Sequence, residues 1–138
     1  MKRVFILMFV CLPVFADGIH VGAWSHHYLK SSYRMNNGRT RKYNETHGRL
    51  GYYRDYGSYW AEVGVFENSH YIDSEYAGIG KNYYRSNNFD LGIVGGYVSG
   101  YSFTKVYAAA TASLKSKLVA IDFALAPKVA TASIRIEI

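Results

Sequence analysis

The chain has 138 residues, enough for one domain, and is unusually rich in Tyr (14) and Gly (13) with only 2 Pro. Such a composition, with 19% charged residues, excludes a disordered chain, which is poor in aromatics and rich in charge and Pro, and a coiled coil, which needs sustained heptads. The formal charge of +6 is scattered along the chain rather than clustered. That does not suit nucleic acid; it suits an anionic lipid surface or a solvated exterior.

Residues 1–16 read as a signal peptide. Met1-Lys2-Arg3 is a basic start, Val4 to Leu12 a short apolar run, and Pro13-Val14-Phe15-Ala16 a plausible cleavage site. The apolar run is well below the roughly 20 residues that a spanning helix requires. Cleavage after Ala16 leaves 122 residues, 17–138, as a single domain, and removes Lys2, Arg3 and the lone Cys11, so the charge falls to +4. A chain of this kind has no thiol chemistry, and nothing in it points to a cofactor or a metal.

From residue 17 onward the dominant period is two. Strands are expected at 19–29, 49–56, 58–66, 75–84, 89–101, 105–114, 117–126 and 129–138, separated by Gly, Asn, Ser and Pro signals. The third strand sets Tyr59, Ala61, Val63 and Val65 against Trp60, Glu62, Gly64 and Phe66. The seventh sets Val119, Ile121, Phe123 and Leu125 against Ala120, Asp122 and Ala124; the eighth sets Ile134, Ile136 and Ile138 against Ser133, Arg135 and Glu137. Between the first two strands lies a long polar connection, 30–48, carrying Lys30, Arg34, Arg39, Arg41 and Lys42. Gly92, Gly95, Gly96 and Gly100 fall within a strand pattern and are expected to permit bends at a barrel corner.

Eight strands in 122 residues match the smallest closed membrane barrel, an all-β, antiparallel, up-and-down barrel of the outer-membrane type, expected as a monomer. The facing decides between that and a soluble barrel. In a membrane barrel Ile121, Phe123, Ile134 and Ile136 face lipid while Asp122, Arg135 and Glu62 pair inside; a soluble barrel inverts this. The Tyr excess suits interfacial girdles.

Chemistry-bearing groups are few. His26 and His27 end the first strand and point to opposite faces; Ser69, after Asn68, follows the third strand at the same rim. A His within reach of a Ser hydroxyl can take its proton and activate it as a nucleophile. Four segments, Trp24-Ser25-His26-His27-Tyr28, Tyr43-Asn44-Glu45 with Gly48-Arg49-Leu50-Gly51, Val65 to His70 followed by Ala77-Gly78-Ile79-Gly80, and the last two strands, give a sequence that resembles the outer-membrane lipid A palmitoyltransferases of the PagP type. It also resembles small phage and bacterial barrel proteins of unassigned role. The enzyme resemblance implies acyl transfer from a phospholipid to lipid A, with the His at His27 or His26 and the Ser at Ser69. The family's Asp position holds Asn68, which cannot supply a negative charge to an imidazolium. With a cut after Ala16 only Asp17 and Gly18 precede the first strand, leaving no room for the family's N-terminal amphipathic helix. The first expectation is therefore an outer-membrane protein with an envelope-structural or surface-interaction role, its basic loop turned to lipopolysaccharide or phospholipid; the second is a PagP-like acyltransferase.

Overall fold

A computed structural model describes residues 17–102 and 105–138; the expected signal segment, 1–16, lies outside the described residues. Ten strands form: β1 (Asp17–His27), β2 (Ser32–Arg34), β3 (Thr40–Lys42), β4 (Thr46–Asp55), β5 (Tyr59–Glu67), β6 (Asp73–Arg85), β7 (Phe89–Val98), β8 (Val106–Lys115), β9 (Val119–Ala126) and β10 (Val129–Glu137). Eight of them close an antiparallel barrel in the order β1-β10-β9-β8-β7-β6-β5-β4, with β4 pairing back onto β1. Closure leaves no free edge. The end at which β1 begins and β10 finishes is called the inner end below; the opposite end is the outer end.

Two expectations change in detail. The long connection is not a plain loop: β2 and β3 pair as a separate hairpin, turning at Asn36-Asn37-Gly38 with Gly38 at φ 80°. Gly38 supplies the positive φ, and the Asn37 side chain accepts from the Arg39 N–H (3.1 Å) to fix the turn. The expected strand at 89–101 ends at Val98.

Alternation runs in the membrane-type sense. Leu50, Val63, Val65, Ile79, Leu91, Ile93, Ile121, Phe123 and Ile136 are exposed on the outside. His20, Glu62, Asn82, Asp90, Ser133 and Arg135 are buried in the lumen. Aromatic rings mark the two edges of the apolar belt: Trp24, Tyr28, Tyr71 and Tyr97 at the outer end, Tyr56, Tyr59, Tyr83 and Tyr84 at the inner. Lys81 extends its ammonium group to 5.3 Å from the ring centroids of both Tyr59 and Tyr83, as a snorkelling cation does.

Two bulges reset this alternation. In β1, Gly18 and His20 face inward, the register shifts between Val21 and Ala23, and Ala23, Ser25 and His27 then face inward. Gly22 occupies the shift at φ 68°, a conformation that costs a residue with a Cβ. In β6 the shift between Asn82 and Tyr84 turns Arg85 toward the lumen.

The glycines serve packing more than bending. The Trp60 ring lies over Gly80 on the neighbouring strand, the Tyr76 ring over Gly64 and Gly51, and the Tyr107 ring over Gly96 and Gly78. A Cβ at any of these five positions would fall inside the van der Waals shell of the ring. Gly92 and Gly96 also approach the carbonyls of Lys81 and Ala77 too closely for a side chain, so at these two positions the expected bend is replaced by close approach of strand and ring, while Gly100 does bend the chain, at φ 84° after β7. Gly80→Ala should destabilise the barrel by about 1–3 kcal/mol through overpacking against Trp60. Urea midpoints of the micelle-embedded protein, followed by the folded and unfolded bands on a gel, measure this.

Candidate functional site

The lumen contains three polar layers. In the middle, the Arg49 guanidinium donates from Nε to Tyr76 OH (2.9 Å), from Nη1 to Ser133 Oγ (3.1 Å) and from Nη2 to Glu62 Oε2 (2.7 Å). It also donates from Nη2 to His20 Nδ1 (3.2 Å). Because Arg only donates, His20 Nδ1 accepts, and His20 Nε2–H is left to donate to Asp122 Oδ2 (2.9 Å). Ser113 donates to the other Asp122 oxygen (2.6 Å), and Tyr107 to Glu62 Oε1 (3.2 Å). Arg135 lies 3.4 Å from Asp122 and sits over the Tyr53 ring at 3.8 Å. Two cations thus face two carboxylates around a neutral imidazole, a balanced set that buried charge requires.

At the inner end, Arg85 grips Asp55 with both terminal nitrogens (2.9 and 2.5 Å). Asp90 accepts from Lys115 (2.6 Å) and faces Arg85 Nε at 3.6 Å. These pairs line a cavity of about 240 Å³ at the inner mouth.

The outer layer holds the residues that the sequence singled out. The Gly22 bulge settles which histidine enters: His27 faces inward and His26 outward, where its ring meets Glu45 at 3.4 Å. His27 Nε2 lies 2.9 Å from Ser69 Oγ, so the structure brings His27 and Ser69 together. Among the described residues, no carboxylate pairs with His27 in the manner of a third catalytic member.

Asn68 does something else. It is fully buried, and its side-chain amide is fully bonded, both to the turn that it begins and to Gly100 beyond it. Oδ1 accepts from the backbone N–H groups of His70 (2.8 Å) and Ile72 (3.2 Å), while Nδ2 donates to Ser74 Oγ (2.9 Å) and to the Gly100 carbonyl (3.1 Å). A carboxylate has no proton for that carbonyl. Asn68 therefore fits a turn anchor better than an imidazole orienter.

Three features were absent from the sequence reading. Ser25 Oγ lies 2.7 Å from His47 Nε2, and His47 Nδ1–H donates to the Glu67 carbonyl (2.6 Å), a buried pair beside His27 and Ser69. A ring stack caps the outer mouth: His27 on Tyr43 (4.1 Å between centroids), Tyr43 on Tyr33 (5.3 Å), Tyr33 on His70 (4.2 Å), with Tyr101 edge-on to His70. Burial holds the His70 imidazole below its ordinary pKa, which favours its uncharged form in the stack. Thirdly, Arg41 of β3 lies 3.8 Å over the Tyr71 ring and pins the hairpin to the β5–β6 turn. Period-two patterning reports none of these, since each joins residues that are distant in sequence.

No protein-family profile and no curated protein matches the sequence. Among solved structures, the chain is similar to a transmembrane β-barrel from a study of de novo designed barrels, with a TM-score of 0.61 and 15% identity over 94% of this chain and 100% of the other. The likeness is one of fold.

Replacing Asn68 by Asp should lower stability by about 1–3 kcal/mol, because two buried hydrogen bonds are lost and an acceptor then faces the Gly100 carbonyl. Ser69→Ala, which removes a single bond, should cost about 1 kcal/mol or less. Urea midpoints of the two variants in micelles give the comparison.

Proposed function

We propose that this protein is a small outer-membrane β-barrel with an envelope-structural or surface-interaction role, delivered by a signal peptide at residues 1–16. The observation that carries this is the facing of the wall: an apolar exterior edged by aromatics around a charged lumen. In water that arrangement exposes the hydrophobic face and buries the charges; in a bilayer both faces are satisfied. Barrel strands of 8 to 13 residues suit the span. The lumen, filled at mid-depth by the Arg49 network and its rings and covered by the ring stack at the outer end, supports an anchor rather than a pore. What it presents to the outside is the β2–β3 hairpin, with Arg34, Arg39, Arg41 and Lys42, a basic surface for anionic lipid or a partner.

Expressed in a Gram-negative host, the protein should fractionate with the outer membrane and migrate faster on a gel when unboiled than when boiled. Recovery in the periplasmic fraction with heat-independent migration contradicts the reading.

A second reading, acyl transfer of the lipid A palmitoyltransferase kind, is favoured by the 2.9 Å approach of His27 to Ser69. In it His27 takes the hydroxyl proton as Ser69 attacks a phospholipid ester and gives it to the departing lysophospholipid oxygen; a lipid A hydroxyl, losing its proton to His27, then attacks the acyl-Ser69 ester, and Ser69 leaves with that proton. Against it stands a lumen occupied by Tyr76, Tyr107, Trp60 and ion pairs where an acyl chain would lie. Lipid A from expressing cells is expected to keep its mass. An added acyl chain that disappears with Ser69→Ala would overturn the first reading in favour of the second.

A further inference from the structure

A cleft of about 230 Å³ opens at the outer end where β1 meets the β9–β10 turn, lined by His27, Leu29, Lys30, Tyr43 and Lys128. Its chemistry differs from that of the lumen. Lumen cations all face carboxylates, as Arg49 faces Glu62 and Lys115 faces Asp90. The cleft has two ammonium groups and no carboxylate in its lining. Among the described residues neither Lys30 nor Lys128 forms an ion pair or lies over a ring. Its walls are held in place: Tyr43 and His27 stack on one another, His27 is bonded to Ser69, and the neighbouring Tyr28 hydroxyl donates to the Ala126 carbonyl (2.6 Å) at the start of the turn that carries Lys128. Below the cleft, exposed Leu29, Trp24 and Leu125 continue into the apolar belt.

A pair of unneutralised cations directly above an apolar wall is complementary to an anion carried on hydrocarbon. We infer that this cleft is a binding site for the phosphodiester headgroup of an anionic glycerophospholipid, with Lys30 and Lys128 flanking the phosphate and Leu29 against the first carbons of the acyl chains. The volume of about 230 Å³ is enough for a phosphodiester with its glycerol. Lysines act here as point charges that bind phosphate without a fixed fork. The inference rests on the membrane reading above, because the belt places the cleft at headgroup level only if that belt lies in a bilayer.

The test uses the folded barrel in neutral maltoside micelles, titrated with dihexanoyl phosphatidylglycerol, dihexanoyl phosphatidylcholine, lipid A or inorganic phosphate, with binding read by native mass spectrometry. Phosphatidylglycerol should bind best, and Lys30→Gln/Lys128→Gln should weaken it about thirtyfold, from roughly 1 kcal/mol for each of the two surface cations. Lys117→Gln, at the inner end, should leave binding unchanged. Binding that is equal in the double variant, or tighter for lipid A than for phosphatidylglycerol, overturns the inference, as does a response to inorganic phosphate alone. Unboiled gel migration shows whether the double variant folds; if it does not, Lys128→Gln alone carries the test, with about a threefold to fivefold loss expected. Lost binding selectivity in a barrel that still fractionates with the outer membrane removes the site and leaves the membrane reading intact, whereas a water-soluble barrel removes both.

Discussion

The contact between Arg49 and Glu62 is the centre on which the structure depends. An apolar exterior forces the polar residues of every strand inward, and a lumen crowded with charge is stable only if each charge is met. Arg49 meets Glu62 from β5, Tyr76 from β6, Ser133 from β10 and His20 from β1, so one guanidinium from β4 ties together five strands of the wall. Through His20 the set extends to Asp122 on β9 and from there to Ser113 on β8 and Arg135 on β10. The two tyrosines that hydrogen-bond within the network pack against glycines, Tyr76 against Gly51 and Gly64 and Tyr107 against Gly78 and Gly96, where a side chain would collide. Charge balance and glycine placement are one arrangement.

That arrangement also bears on function. A lumen occupied by rings and ion pairs has little room for a chain of methylenes, so the close approach of His27 to Ser69 belongs to a polar rim that also contains Ser25 with His47 and Asn44 with Glu67. The same rim carries the stack that closes the barrel. The chemistry facing outward is of another kind: basic side chains on a hairpin and in a cleft, set just above an apolar wall.

Much of this was legible in the sequence. Period-two patterns located all eight barrel strands and assigned the faces of β5, β9 and β10 correctly, because a half-buried strand displays its facing residue by residue. Asp122, Arg135 and Glu62 were expected inside; His20 and Arg49, which complete their network, lie in strands whose pattern is interrupted. The choice between His26 and His27 was not legible, since it depends on a bulge at Gly22 that reverses parity within a strand. A lone Gly in the strand pattern was the available signal. Asn36-Asn37-Gly38 likewise marked a hairpin that polarity disguised as a loop. The role of Asn68 required the Gly100 carbonyl, 32 residues away, and nothing in the local sequence points to it.

The central claim is that the wall faces lipid, and the most direct test is solvent access along β9. Single cysteines at Ile121 and Phe123, with one at Ser116 in the inner turn, are labelled with a nitroxide in the barrel reconstituted into phosphatidylcholine vesicles. The labels at 121 and 123 should relax readily with oxygen and scarcely with a water-soluble nickel chelate, while the label at 116 responds to the chelate. Equal response to nickel at all three positions would contradict the account.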